Sequence, residues 1–196
     1  LGLESLLASQ PSRQRDLALA MIVERLLDPC SKLATTRLWH PTTLAEELEV
    51  QDAEVDELYA ALDWLLARQA RVEAKLAARH LEEGGLVLYD ASTSYYEGKT
   101  CPLARFGHDR DGKSLPVILY GLLTDPAGRP VAVEVYPGNT GDPTTVADQV
   151  DKLRERFGLS QVVMVGDRGM LTEALLERAA AAGIEIREIA ARGRRK

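Results

Sequence analysis

The chain is predicted to be α/β, a sheet flanked by helices and preceded by a helical region, on two observations. Apolar residues recur at three- and four-residue spacing through the first part of the chain. From Leu86 onward, short β-branched runs bounded by turn residues take over. Gly84-Gly85 marks the change, so residues 1–83 are expected to form a helical N-terminal region and residues 84–196 an α/β domain.

The first clear helix carries Leu17, Ala18, Met21 and Ile22 and stops at Asp28-Pro29, because proline cannot continue a helical hydrogen-bond ladder. The next reads as one helix from Val55 to about Ala78. Val55, Leu58, Tyr59, Leu62, Leu65, Leu66, Gln69, Val72 and Leu76 form its stripe, expected to face a core. Leu86 to Tyr89 is a short apolar strand ending at Asp90. Pro116–Thr124 and Pro130–Tyr136 form a hairpin around Asp125-Pro126-Ala127-Gly128-Arg129. Asp142-Pro143 has the form of an N-cap followed by proline at the first helical position. Val146, Val150, Leu153 and Phe157 line that helix, and Gly158 suits its C-terminal cap. Val162–Val165 is a second buried-type strand ending at Asp167. A helix carrying Leu171, Leu175, Ala179 and Ala182 and a weak strand over Ile184–Ile189 close the order.

Composition narrows the function classes. At 45% hydrophobic and 28% charged, the 196 residues can bury a core. No apolar run approaches the roughly 18–20 residues of a membrane span. Cys30 and Cys101 are too few for a disulfide scaffold, which points to a reducing cytosol. The net charge of −6 argues against a simple basic nucleic-acid binder. It is uneven: residues 1–83 carry nine cationic against fifteen acidic side chains, and residues 84–196 fifteen against fifteen. A polyanion would therefore meet the second part. The chain opens Leu1-Gly2-Leu3 without methionine and reads as a fragment.

Two apolar strands each run into an aspartate, Asp90 and Asp167. In an α/β sheet, ligands gather outside the carboxyl ends of strands. If the strands are parallel neighbours, the two carboxylates converge and repel unless a proton or cation lies between them. A hard divalent cation suits such oxygens, and the chemistry implied is metal-assisted phosphoryl transfer. The alternative is that each aspartate only terminates its strand in a turn. The long polar stretch from Ala91 to Leu115 offers hydroxyls, tyrosines, Lys99, Arg105, His108, Arg110 and Lys113, groups suited to phosphates and bases. Arg168, directly after Asp167, either meets a phosphate or pairs with one of the two aspartates. No dinucleotide-binding glycine pattern, phosphate-binding loop or serine elbow is present. His40, His80 and His108 fit no zinc spacing, and nothing in the sequence orients His108 toward Cys101.

Five blocks in order make a specific match. They are Tyr89-Asp90-Ala91-Ser92-Thr93-Ser94-Tyr95-Tyr96-Glu97-Gly98, Gly107-His108-Asp109-Arg110-Asp111-Gly112-Lys113, Tyr120-Gly121-Leu122-Leu123-Thr124, Pro137-Gly138-Asn139-Thr140-Gly141-Asp142 and Val165-Gly166-Asp167-Arg168-Gly169-Met170. Together they resemble the DDE transposases of bacterial insertion sequences, and most closely insertion-sequence family four. Pro29-Cys30-Ser31-Lys32-Leu33-Ala34 and Leu58-Tyr59-Ala60-Ala61-Leu62-Asp63-Trp64-Leu65 extend the likeness into the helical region.

The resemblance implies a ribonuclease-H-like fold with an Asp-Asp-Glu triad, of which Asp90 matches the first acid and Asp167 the second. It implies that these two hold Mg²⁺ (or Mn²⁺) for nicking and strand transfer of double-stranded DNA, at element ends and target. A possible homo-oligomer and a cytoplasmic, nucleoid-associated location follow from it, with no membrane. Asn139 and Asp142 fall in the family's block after the third strand. The chain departs from the family at the third acid, which belongs to a Tyr-x2-Arg-x3-Glu-x6-Lys signature. The residues after Asp167 contain no tyrosine, so Glu173, Glu177, Glu185 and Glu188 do not match it. The expectation is a transposase fragment inactive alone. The alternatives are a non-catalytic remnant that binds DNA or full-length transposase, and an unrelated Mg²⁺-dependent phosphohydrolase.

Overall fold

The computed structural model describes residues 2–39, 42–107, 114–167, 170 and 172–189. The chain divides into two compact units, Leu1–Lys75 and Leu76–Lys196.

The first unit is helical: α1 (Leu3–Leu7), α2 (Arg13–Leu27), α3 (Lys32–Leu38), α4 (Leu44–Glu47), α5 (Val55–Leu66) and the start of α6 (Gln69–His80). The Ser12 and Ser31 hydroxyls accept the Arg15 and Ala34 backbone N–H groups, satisfying donors that the starts of α2 and α3 leave open. Leu17, Ala20 and Met21 of α2 close with Trp39, Val50, Leu58 and Ala61 into one core. Arg13 ties α2 to α5 through Glu57, and to the preceding loop through Asp52.

The single helix expected from Val55 to about Ala78 is in fact two, broken at Ala67-Arg68. Arg68 folds back over Trp64, its guanidinium carbon 3.9 Å from the ring centroid. Its Nη1 donates to the Trp64 carbonyl at 3.2 Å, the acceptor that an unbroken helix would give to the Arg68 N–H. That N–H turns to Leu65 O instead, at 3.0 Å. The apolar stripe is split accordingly: Leu58 is fully buried, whereas Tyr59 and Leu66 are exposed.

The second unit is a five-stranded mixed sheet in the order β3-β2-β1-β4-β5. The strands are β1 (Leu86–Tyr95), β2 (Val117–Thr124), β3 (Pro130–Pro137), β4 (Val162–Asp167) and β5 (Ile184–Ile189). β1–β2–β3 is an antiparallel meander, and β4 and β5 join β1 in parallel. Helix α7 (Asp142–Asp151), continued by a π-helical turn over Lys152–Arg156, connects β3 to β4, and α8 (Glu173–Ala181) connects β4 to β5. Val146, Val150, Leu153, Leu175 and Ala179 from these helices pack with Val87, Tyr89, Leu119, Leu123 and Met164. Along each strand alternate residues point to opposite faces, so the other face carries Leu122, Val133 and Val135, which remain exposed.

The order of elements from Leu86 is the expected one, with two local corrections. β1 does not stop at Asp90; it runs five residues further, because Leu88–Tyr95 pairs along the whole of β2. The polar connection after β1 is correspondingly shorter. The N-cap of α7 is Gly141 rather than Asp142, and no side chain caps it; Asp142 is the first helical residue, where its charge suits the helix dipole. The hairpin loop is organised by Asp125, whose buried carboxylate accepts the Ala127 and Arg129 N–H groups at 3.0 and 2.9 Å and pairs with the Arg129 guanidinium.

Candidate metal centre

Asp90 and Asp167 are brought to neighbouring strands. β1 and β4 are parallel, with Leu86 opposite Val163, Val87 opposite Met164 and Leu88 opposite Val165. Carrying this register two residues on sets Asp90 opposite Asp167. Gly166 supports the continuation, since a Cβ there would stand 3.6 Å from the Tyr89 carbonyl oxygen. Strands pair about 4.8 Å apart, and residues opposite each other share a face. Asp90 is exposed, and its Oδ1 accepts the Ala91 N–H at 2.9 Å. The Asp167 side chain lies outside the described residues.

The direction of the strands sets the segment that carries Lys99 and Arg105 at one end of the sheet. β1, β3 and β4 finish there and β2 begins there, so the segments 96–107 and 138–141 both border that end. Two motif glycines join them by backbone contact. A Cβ on Gly107 would reach within 2.7 Å of the Gly138 carbonyl carbon, and one on Gly138 within 2.7 Å of Arg105 O. Only glycine permits so close an approach. Arg105 exchanges two backbone hydrogen bonds with Val117, at 3.1 and 2.8 Å, and the Gly138 N–H donates to Leu103 O at 3.0 Å. Lys99 and Arg105 are exposed on this segment, with Arg105 Nη1 donating to Ala104 O. Arg110, Lys113, His108 and Arg168 lie outside the described residues.

Beneath Asp90 the sheet is held by a feature that sequence reasoning missed. The Tyr89 ring, 2% exposed, leans diagonally across β2 over Gly121. A Cβ there would meet the ring carbons Cε2 and Cζ at 2.7 Å. Burial pushes the Tyr89 phenol up to about 12, and its hydroxyl makes no hydrogen bond. The neighbouring phenol of Tyr136 is raised as well, by burial first and by the Tyr89 charge second; its hydroxyl accepts the Gln149 amide N–H at 3.1 Å. The Tyr120-Gly121 pair was visible as a motif, but only the cross-strand diagonal explains the glycine.

Aspartate carboxylates are hard-oxygen donors of the kind that fits a divalent cation, and the exposed Asp90 carboxylate is the one the structure describes. Among the described residues no group of three or more His, Cys, Asp or Glu side chains could hold a metal ion. Among them, too, no helix is long and apolar enough to cross a membrane.

A mixed sheet with a meander, parallel strands beyond it and helices at the crossovers defines an α/β domain of ribonuclease-H-like type. The family model described as "Transposase DDE domain" matches residues 82–193, more than half of the chain. The chain belongs to the transposase DDE domain family. Its fold is similar to that of the piggyBac transposase in a synaptic complex with hairpin DNA, at TM-score 0.51 and 13% identity, over 98% of this chain and 46% of that one. The Mos1 transposase paired-end complex with left transposon end aligns at TM-score 0.39 and 14% identity, over 94% of this chain and 61% of that one. A mariner Mos1 paired end complex with Mg aligns at TM-score 0.36 and 14% identity, over 91% and 60%. The chain thus spans about half to three fifths of the length of these transposases. No curated protein sequence matches it.

Proposed function

We propose that this chain contributes the first two acids of a DDE transposase of bacterial insertion sequences, of the insertion-sequence family four type. Such an enzyme cleaves DNA at the element ends and joins them to a target. The observation that supports the reading is the parallel β1–β4 pairing, which reaches Leu88 opposite Val165, two residues before Asp90 and Asp167, within the matched domain. In this reading Asp90 and Asp167 hold Mg²⁺ or Mn²⁺. Asp90 is suited to it: one carboxylate oxygen is steadied by the Ala91 N–H, while exposure leaves the group open to a ligand. The bound cation would activate the attacking water or hydroxyl and stabilise the leaving oxygen.

Lys99, Arg105, Arg110, Lys113 and Arg168 are assigned to the phosphates of double-stranded DNA, in a bacterial cytoplasm and on the nucleoid. The Arg105–Val117 and Gly107–Gly138 contacts fix residues 103–107 beside the end of β1 at Tyr95, five residues along the strand from Asp90. Helical residues 1–83 precede the catalytic domain at 84–196. Two carboxylates supply only part of a two-ion shell, so we infer that these 196 residues bind a divalent cation weakly and do not cut DNA by themselves.

Titration with Mn²⁺, followed by calorimetry and by paramagnetic broadening of residues on β1 and β4, tests the assignment. Binding is expected in the wild type and its loss in Asp90→Asn and Asp167→Asn, with the fold intact by circular dichroism. Undiminished binding in both variants would remove these residues from the site. Metal-dependent nicking of an element-end duplex by the 196 residues, abolished by Asp90→Asn, would overturn the inference of inactivity and keep the site.

A further inference from the structure

The face of the sheet that carries Asp90 also carries a cluster of hydroxyls that the metal reading does not use. Alternation along β1 puts Asp90, Ser92 and Ser94 on one face, and the register with β2 sets Asp90 opposite Leu122 and Ser92 opposite Tyr120. Tyr120 is therefore a diagonal cross-strand neighbour of Asp90, with about 7–8 Å between their α-carbons, a distance that a tyrosine side chain spans. Asp90 and Ser94 are exposed and Ser92 and Tyr120 half-buried, so the cluster opens to solvent beside the carboxylate. The Ser92 and Ser94 hydroxyls hydrogen-bond the Tyr120 phenol and hold it below its ordinary value. That direction has the serines donating, since hydrogen bonds given to the phenol oxygen favour its charged form. The phenol then keeps its own proton to donate to a third group.

We propose that Tyr120 donates this hydrogen bond to a phosphate oxygen of the DNA strand that lies across Asp90, with Ser92 and Ser94 as positioning residues that fix and polarise the phenol. The inference rests on the transposase reading and adds a neutral phosphate contact to candidates that are all cations. A hydroxyl suits the place. A cation this near would pair with Asp90 and take up the charge that has to hold the metal ion, whereas a phenol binds a phosphate oxygen and leaves that charge free. Only the register of β1 on β2 brings the three hydroxyls together, because Tyr120 lies far from Ser92 and Ser94 in sequence.

Fluorescence anisotropy of a short labelled duplex, titrated with the full 196-residue chain at several salt concentrations, tests it. Tyr120→Phe is expected to weaken binding about tenfold, as for one hydrogen bond to a charged group. The factor should be the same at every salt concentration, because a neutral hydroxyl displaces no counterion. Ser92→Ala combined with Ser94→Ala should weaken binding in the wild type and add little to Tyr120→Phe, since the serines act through the phenol. Ser92→Thr combined with Ser94→Thr keeps both hydroxyls and should retain affinity. Circular dichroism checks that each variant is folded. Affinity that Tyr120→Phe leaves unchanged, a loss that comes with a changed salt slope, or serine effects that simply add to it would each overturn the proposal. A wild type that binds no duplex would remove the DNA reading and this contact together. A wild type that binds no Mn²⁺ but shows the Tyr120 effect would remove the metal reading and keep the contact.

Discussion

Adding one methyl group at Gly121 should loosen the sheet beneath Asp90. A Cβ there would stand 2.7 Å from Tyr89 Cε2 and Cζ, against the roughly 3.5–4.0 Å at which carbon atoms rest. The ring would have to move by about 1 Å. It cannot swing into solvent, since Tyr89 is 2% exposed and packs within the core that includes Leu123 and Val146. Overpacking of this kind costs about 1–3 kcal/mol. At about 4 °C per kcal/mol for a domain of this size, Gly121→Ala should lower the melting temperature of the sheet unit by roughly 4–12 °C.

Urea denaturation followed by circular dichroism, in wild-type and Tyr89→Phe backgrounds, measures the coupling. Tyr89→Phe alone should be neutral or slightly stabilising, because it removes a buried hydroxyl that has no partner. It also removes the atom closest to the added methyl, so Gly121→Ala should cost less in that background, by about 0.5 kcal/mol or more. Because Tyr89 precedes Asp90, Gly121→Ala should weaken Mn²⁺ binding as well. A cost below about 0.5 kcal/mol, or an equal cost in both backgrounds, would refute the packing argument.

Alkaline pH should act through the same ring: the Tyr89 phenol is raised by burial from 10.0 to about 12, so its contribution is complete below pH 10 and is lost as pH rises toward 12. This amounts to about 2–3 kcal/mol, and melts between pH 9 and 12 should fall less steeply in Tyr89→Phe, with the buried Tyr136 phenol keeping part of the dependence. In the helical unit, burial and the Asp28 charge raise the Glu24 carboxyl, whose Oε2 is buried without a partner. A raised folded-state value means stability present in acid and lost as the carboxyl ionises, so Glu24→Gln should stabilise the chain at pH 7 by about 1 kcal/mol and have little effect well below the ordinary carboxylate range. On duplex DNA, neutralising Lys99, Arg105, Arg110 and Lys113 together should lower affinity and reduce the slope of log K against log salt by up to about 3–4. A slope that did not change would move the DNA surface to other residues.

Sequence patterning by itself determined the order of elements from Leu86 and that each aspartate follows an apolar strand run, because each rests on local signals. β-branched runs, the Asp125–Arg129 turn residues and proline after Asp142 act over a few positions, whatever the rest of the chain does. The break at Ala67-Arg68 was not legible, since apolar spacing runs straight through it; it depends on Arg68 taking the carbonyl of Trp64. Nor was the length of β1. Ala91–Tyr95 reads as polar and loop-like alone and becomes strand only because β2 offers it a ladder. The same holds for the candidate site. That two apolar runs end in aspartate is a property of sequence. That those runs are parallel neighbours, paired up to Leu88 opposite Val165, is decided by the crossover through α7, which inserts β4 beside β1. Gly121 under Tyr89 and Gly107 against Gly138 belong to the tertiary structure alone, because the atoms they make room for arrive from other strands and loops.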